Sequence, residues 1–203
     1  MTMQWPLVSY VAATNLNPLL LQQSIKCKLN LFPAILISVF LFSFGIQLQA
    51  QVTLVKEGKA EAVVVIADKP SETARYAAEE LVKHVRLATG ISLKIEIESE
   101  VSEAMHTRVY VGETATARSY GIDSARFPWE AFLMRSVGYD LFIVGKEDSG
   151  NPLDEGNPNV GTLFGVYDFL EKYVGVRWLW PGELGTYVPK TNTLEILSVN
   201  RLE

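Results

Sequence analysis

One segment constrains this chain more than any other. Asp68–Gly90 reads DKPSETARYAAEELVKHVRLATG and carries a complete set of helix signals. Ser71 is an N-cap residue type, because its hydroxyl can accept a bond from an unpaired N–H of the first turn. Glu72 follows in the first turn, where the helix dipole favours an acid. Ala74, Ala77, Ala78, Leu81, Val82, Val85 and Ala88 recur at helical spacing, and Gly90 supplies the stop. The N-terminal half of this apolar face is alanine-rich, so it requires a neighbour that packs close. His84 stands four residues after Glu80 and reads as half of a solvated ion pair on the outer face.

The flanks of this helix are strand-like. Val52–Lys56 (VTLVK) alternates, Glu57–Lys59 is a turn, and Ala60–Ala67 (AEAVVVIA) is a β-branched run; together they predict a hairpin. Ser92–Glu98 alternates strictly, and Thr107–Gly112 (TRVYVG) is a further strand. Glu113–Gly121 predicts a short helix closed by glycine. Ala131–Gly138 and Tyr139–Gly145 predict a second hairpin turning at Gly138. Lys146–Val160 is a long loop rich in Gly, Pro, Asn and Asp. GTLFGVYDFLEKYVG (Gly161–Gly175) has Leu163, Val166, Tyr167, Leu170 and Val174 on one face and predicts a second helix, with Gly165 allowing close contact with a sheet. Val176–Trp180 is a short strand, and the segment to Leu197 contains a weak last one. The order predicts an α+β fold: a two-layer sandwich with one mixed sheet of about six strands and two main helices packed on one face. No repeat with a period of 20–50 residues is present.

The first fifty residues form a separate region. They lack Asp and Glu and carry only Lys26 and Lys28 as basic residues, just before the sixteen-residue apolar run Leu31–Ile46. A positive flank, a short apolar core and then Leu48 and Ala50 before Gln51 follow the pattern of a secretory signal peptide. The run is short for a bilayer span, which needs ~20 residues, and Pro33 lies near its start. Residues 1–50 are therefore expected to be an N-terminal extension plus a signal, with export to the periplasm or exterior. The alternative is an uncleaved N-terminal membrane anchor. Without Lys26 and Lys28 the 18 basic residues become 16, against 23 acidic ones, a formal net charge of −7. Basic residues are dispersed, which argues against a nucleic-acid partner. The only cysteine, Cys27, lies in the extension, so residues 51–203 have neither a disulfide nor a thiolate.

Candidate chemistry is sparse. His84 and His106 are the only histidines, with no H-E-x-x-H and no paired Cys, so no metal site is expected. No G-x-S-x-G, phosphate loop or G-x-G-x-x-G is present, and no cofactor is implied. Asp148, Asp154 and Glu155 lack EF-hand spacing and read as a solvated loop rather than a calcium site. Glu171 and Glu183 are the acids beside the aromatic cluster, and nothing in the sequence sets them face to face as a glycosidase pair. Trp178 and Trp180 point to one side of their strand and Arg177 and Leu179 to the other. Two readings of the tryptophans stay open: core packing, and a stacking surface or docking patch. Trp129 is a further candidate platform.

Three stretches in combination carry a resemblance. They are TARYAAEELVKHVRLATGISLKI, RVYVGET, and GTLFGVYDFLEKYVGVRWLWPGELGTYVPK, the last being the most specific. Together they resemble the non-catalytic N-terminal accessory domain of α-glucuronidase-like and β-hexosaminidase-like bacterial glycoside hydrolases, over residues 51–198. The resemblance implies two helices on a sheet, braced against a (β/α)8 barrel that carries the catalytic carboxylates. It implies that 199–203 begin a linker to that barrel, which would need ~250 further residues, and that this chain is truncated or split. No catalytic residue carries over. Arg177, Trp178, Trp180 and Glu183 are then the candidates for barrel docking or carbohydrate binding, and the expected partners are the barrel, in cis or in trans, and a plant-type oligosaccharide. One departure is that Val160 precedes the G-T-L-F-G block, where relatives often carry a basic residue.

Overall fold

A computed structural model of the chain describes residues 51–102, 105–156 and 159–203, apart from the side chain of Glu183. The expected signal segment, its apolar run and Cys27 lie outside the described residues. Among those described, no helix is long and apolar enough to cross a membrane.

The architecture is the α+β arrangement expected from the sequence. In chain order, β1 is Val52–Lys56, β2 Lys59–Ala60 and β3 Ala62–Ile66. Helix α1 (Glu72–Thr89) leads to β4 (Ile95–Ile97) and β5 (Thr107–Val111). The short helix α2 (Ala115–Ser119) precedes β6 (Phe132–Val137) and β7 (Asp140–Gly145). Helix α3 (Gly161–Phe169) is followed by β8 (Arg177–Trp178), β9 (Thr186–Tyr187), β10 (Leu194–Ile196) and β11 (Asn200–Leu202). Six strands form the main sheet in the order β11-β6-β7-β5-β3-β4. Its β4, β3, β5 and β7 run parallel, while β6 and β11 are antiparallel to their neighbours.

The first hairpin needs correction. It closes as expected over Glu57 and Gly58, both at positive φ (49° and 73°), the geometry of a two-residue turn. Its second strand, however, is only Lys59–Ala60. The β-branched run that follows leaves the hairpin and becomes β3, at the heart of the main sheet. The reason is burial on both faces: all five residues of β3 are buried, with Val64 and Ile66 facing the helices and Val63 and Val65 packed with Tyr110 and Phe142 on the other side. An all-apolar strand satisfies both faces only inside a sheet covered on both sides. β1 instead pairs with β10 and β2 in a small second sheet, whose Val52, Leu54, Leu194 and Ile196 join the main core.

Both main helices lie on one face. Ser71 Oγ accepts from the Ala74 N–H at 2.8 Å, and Gly90, at φ 79°, donates to Arg86 O at 2.8 Å, so both caps of α1 are as read. The close neighbour of its alanine stripe is the Gly112 backbone, since a Cβ there would sit 2.6 Å from Ala74 Cβ. Gly165 does bring α3 onto the sheet: a Cβ would stand 2.8 Å from Ile143 Cγ2 and 3.1 Å from the Phe132 ring. The opposite face is covered by Ala117 of α2 and by Ile122, over a stacked Tyr110–Phe142 pair with centroids 4.7 Å apart.

Helix α3 does not run straight to Gly175. Residues Leu170–Val174 form a widened π-type turn, closed by Gly175 at φ 84°. Residues 199–203, read from the sequence as the start of a linker, contribute β11, which pairs with Leu133–Arg135 of β6. The Arg201 guanidinium contacts the Asp168 carboxylate of α3, and Lys172 bridges to Asp168 at 2.8 Å.

Candidate functional site

The aromatic segment after α3 is neither part of the main sheet nor part of the core. β8 is two residues long and pairs only with β9, Arg177 opposite Tyr187 and Trp178 opposite Thr186. Leu179 N–H donates to Gly185 O at 2.8 Å and closes a tight loop through Gly182 (φ 94°). Gly185 is required there, because a Cβ would lie 2.0 Å from Trp180 O.

The two tryptophans fare differently. Trp178 is 40% exposed and is held on two sides: its ring makes edge contacts with Tyr167 (5.2 Å, 74°) and His84 (5.6 Å, 69°). Trp180 is 56% exposed in the loop, among Leu179 (64%), Leu184 (94%) and Tyr187 (57%). Of the two readings left open, core packing fails for both. Trp129 is also exposed, but it stands in the turn before β6, beside the end of β7, and does not join this cluster.

Arg177 is exposed but turns back onto the end of the preceding helix. Its Nη1 donates to Glu171 O at 2.7 Å and Val176 O at 2.8 Å, and the Glu171 carboxylate lies 3.7 Å away. A widened last turn leaves carbonyls without helical partners, and the guanidinium satisfies one of them. Arg177 thus fixes where β8 leaves α3. The side chain of Glu183 lies outside the described residues.

His84 is the second correction. It is buried rather than solvated, with Nδ1 2.8 Å from Glu80 O and 3.6 Å from Glu80 Oε2. The spacing to Glu80 was legible, but the burial comes from Trp178, far along the chain. Glu80 is the hub of this floor: Lys83 Nζ donates to Oε1 at 3.0 Å and the Tyr167 hydroxyl to Oε2 at 3.4 Å. Burial first, and then the Glu80 charge, push the Tyr167 phenol far above its ordinary range. It remains a donor at any physiological pH.

A groove lies on each side of Trp178. One, about 690 Å³, runs between α1 and the 182–190 segment, with Lys83, Arg86, Thr186 and Lys190 along it. The other, about 530 Å³, is bounded by Phe164, Tyr167, Asp168 and Glu171. The sequence reading missed Lys83, Arg86 and Lys190. Lys83 and Arg86 look like any solvated helix face, and Lys190 like a solvated loop, until the segment packed opposite is known.

A further cavity, about 500 Å³, opens where β3, β5 and β7 end, beside the start of α1. Burial pushes the Glu147 carboxyl up, opposed by hydrogen bonds from Ser71 and Thr162. Burial would also raise Glu113, but bonds from Ser124 and Arg118 outweigh it and hold that carboxyl low. Glu147 braces the N-cap of α1 and Glu113 anchors the 118–124 turn. Of the loop acids considered for calcium, Asp148 accepts from Asn159 Nδ2 at 2.6 Å and Asp154 from Asn151 Nδ2 at 3.0 Å. Among the described residues no three His, Cys, Asp or Glu side chains converge.

No protein-family model matches the sequence, and no curated protein matches it significantly. Solved structures do resemble it. One is a family GH115 4-O-methyl-α-glucuronidase with specificity for decorated arabinogalactans (18% identity, 72% of this chain and 18% of that one, TM-score 0.41). Another is the GH20 β-N-acetylhexosaminidase from Streptomyces coelicolor A3(2) (16% identity, 72% and 23%, TM-score 0.37). A third is CpGH84D (13% identity, 73% and 21%, TM-score 0.38). These three structures are glycoside hydrolases, matched at low identity, and the chain spans less than a quarter of each.

Proposed function

We propose that this chain is a non-catalytic accessory domain of an exported, polysaccharide-degrading glycoside hydrolase of the α-glucuronidase-like kind. Its work is to dock and brace a (β/α)8 barrel. The observation that carries this reading is the rim of the β8–β9 loop. Leu179, Trp180, Leu184 and Tyr187 are all more than half exposed within nine residues, and Glu183 is the only charged residue among Trp178–Tyr187. An aromatic-rich surface depleted of charge is the composition of an interface centre. Residues 161–190, the most specific part of the sequence resemblance, contain this rim. Acting alone, the chain is expected to hydrolyse nothing.

The genome tests this directly. A barrel-coding frame that continues from, or lies just downstream of, the codon for Glu203 supports the reading. Unrelated sequence there counts against it. A second reading, a carbohydrate-binding module, is favoured by one observation: the groove against Trp178.

A further inference from the structure

We infer that the groove between α1 and the 182–190 segment is a binding site for an acidic sugar unit, stacked on Trp178. The inference rests on the sugar-binding reading and not on barrel docking, since Leu179, Trp180 and Leu184 do not line this groove. Its volume of about 690 Å³ lies within the range of small-molecule sites.

The platform is preorganised. His84 and Tyr167 hold the indole edge-on at 5.6 and 5.2 Å, and both are anchored on Glu80. A side chain already fixed in its bound orientation loses little entropy when a ligand arrives. The walls set the charge. Lys83, Arg86 and Lys190 line the groove, with Glu80 the only acid among the described residues that line it, although residues 51–203 carry a net charge of −7. Glu80 is already engaged by Lys83, Tyr167 and His84. Lys190 Nζ donates to Leu87 O at 2.5 Å, which pins the ammonium at one end of the groove with two N–H donors left over. Arg86 has no acidic partner among the described residues. A neutral sugar would use the indole and leave these cations idle. A free inorganic anion would use the cations and leave the indole idle. A uronate ring uses both, its C–H face on the indole and its carboxylate on Arg86 and Lys190.

The test follows the indole N–H resonance of Trp178 in the full chain, assigned by its loss in Trp178→Phe. Trigalacturonate, xylotriose and sodium sulfate are titrated in turn. Trigalacturonate is expected to shift the resonance with millimolar affinity, weakening about fivefold in Arg86→Gln and further at high ionic strength. Equal shifts with xylotriose would overturn the acidic preference and leave the sugar-binding reading standing. An equal response to sulfate would reduce the site to an anion site and overturn the sugar assignment. No shift with any of the three overturns both.

Discussion

Gly145→Ala probes the joint on which the whole site depends, the seam where β7 ends and α3 begins. A Cβ on Gly145 would sit 2.1 Å from Gly161 C and 2.1 Å from Thr162 N, both backbone atoms that no rotamer change can move. Non-bonded carbons settle at about 3.5 Å or more, so the start of α3 must retreat by about 1.4 Å. That displacement stretches two bonds, Gly145 N–H to Thr162 Oγ1 and Gly161 N–H to Lys146 O, each 2.8 Å. Two such bonds contribute about 2 kcal/mol, and the overpacking adds about 1–3 kcal/mol. The expected loss is therefore about 3–5 kcal/mol, which for a domain of this size lowers Tm by about 10 °C. Gly165→Ala is the control: its contacts are side-chain atoms at 2.8 and 3.1 Å, and the better helix propensity of alanine offsets part of the cost. Urea unfolding followed by far-UV circular dichroism reads both. A Gly145→Ala protein within about 1 kcal/mol of the parent, or more stable than Gly165→Ala, would refute the backbone-contact argument.

Two further expectations concern single groups. Glu147 is raised by burial, so the unfolded chain releases this proton first as pH climbs from the ordinary carboxylate range. Over that window the folded state is the one holding the extra proton, and stability falls. Glu147→Gln should therefore raise the unfolding midpoint at neutral pH, with the gain vanishing in acid; a midpoint lowered at neutral pH would contradict it. Arg177→Ala removes the contacts to Glu171 O in the π-type turn and to Val176 O beyond it, and should cost about 1 kcal/mol, discounted for its exposed side chain. Faster hydrogen exchange at Val176 and Trp178 would accompany it, and unchanged exchange would show that the clamp does not hold β8.

What was legible in the sequence was local. The caps of α1, the turn at Gly138 and the close approach at Gly165 each depend on residues a few positions apart, or on the absence of one Cβ. What was not legible depends on distant partners. Ala62–Ile66 looked like half of a hairpin because its parallel neighbours, β4 and β5, lie some thirty to forty-five residues onward. His84 looked solvated because the ring that covers it belongs to Trp178. Arg177 was a candidate for ligand contact, yet its guanidinium is turned onto the carbonyls of Glu171, in the π-type turn, and Val176, just after it. The tryptophans were recognisable as notable, but composition cannot say whether an aromatic strand lies inside a sheet or on a two-stranded flap.

The measurement that bears most directly on the docking account is binding of the full chain, by titration calorimetry, to the (β/α)8 barrel that the proposal expects to be encoded beside it. Leu179, Trp180 and Leu184 are replaced together by serine in a parallel sample. Their exposure means the substitutions should leave the fold intact. The account predicts a complex with the parent chain and at least about tenfold weaker binding for the triple variant, or about 1.4 kcal/mol. Equal binding by both chains, or no binding by the parent, would contradict it.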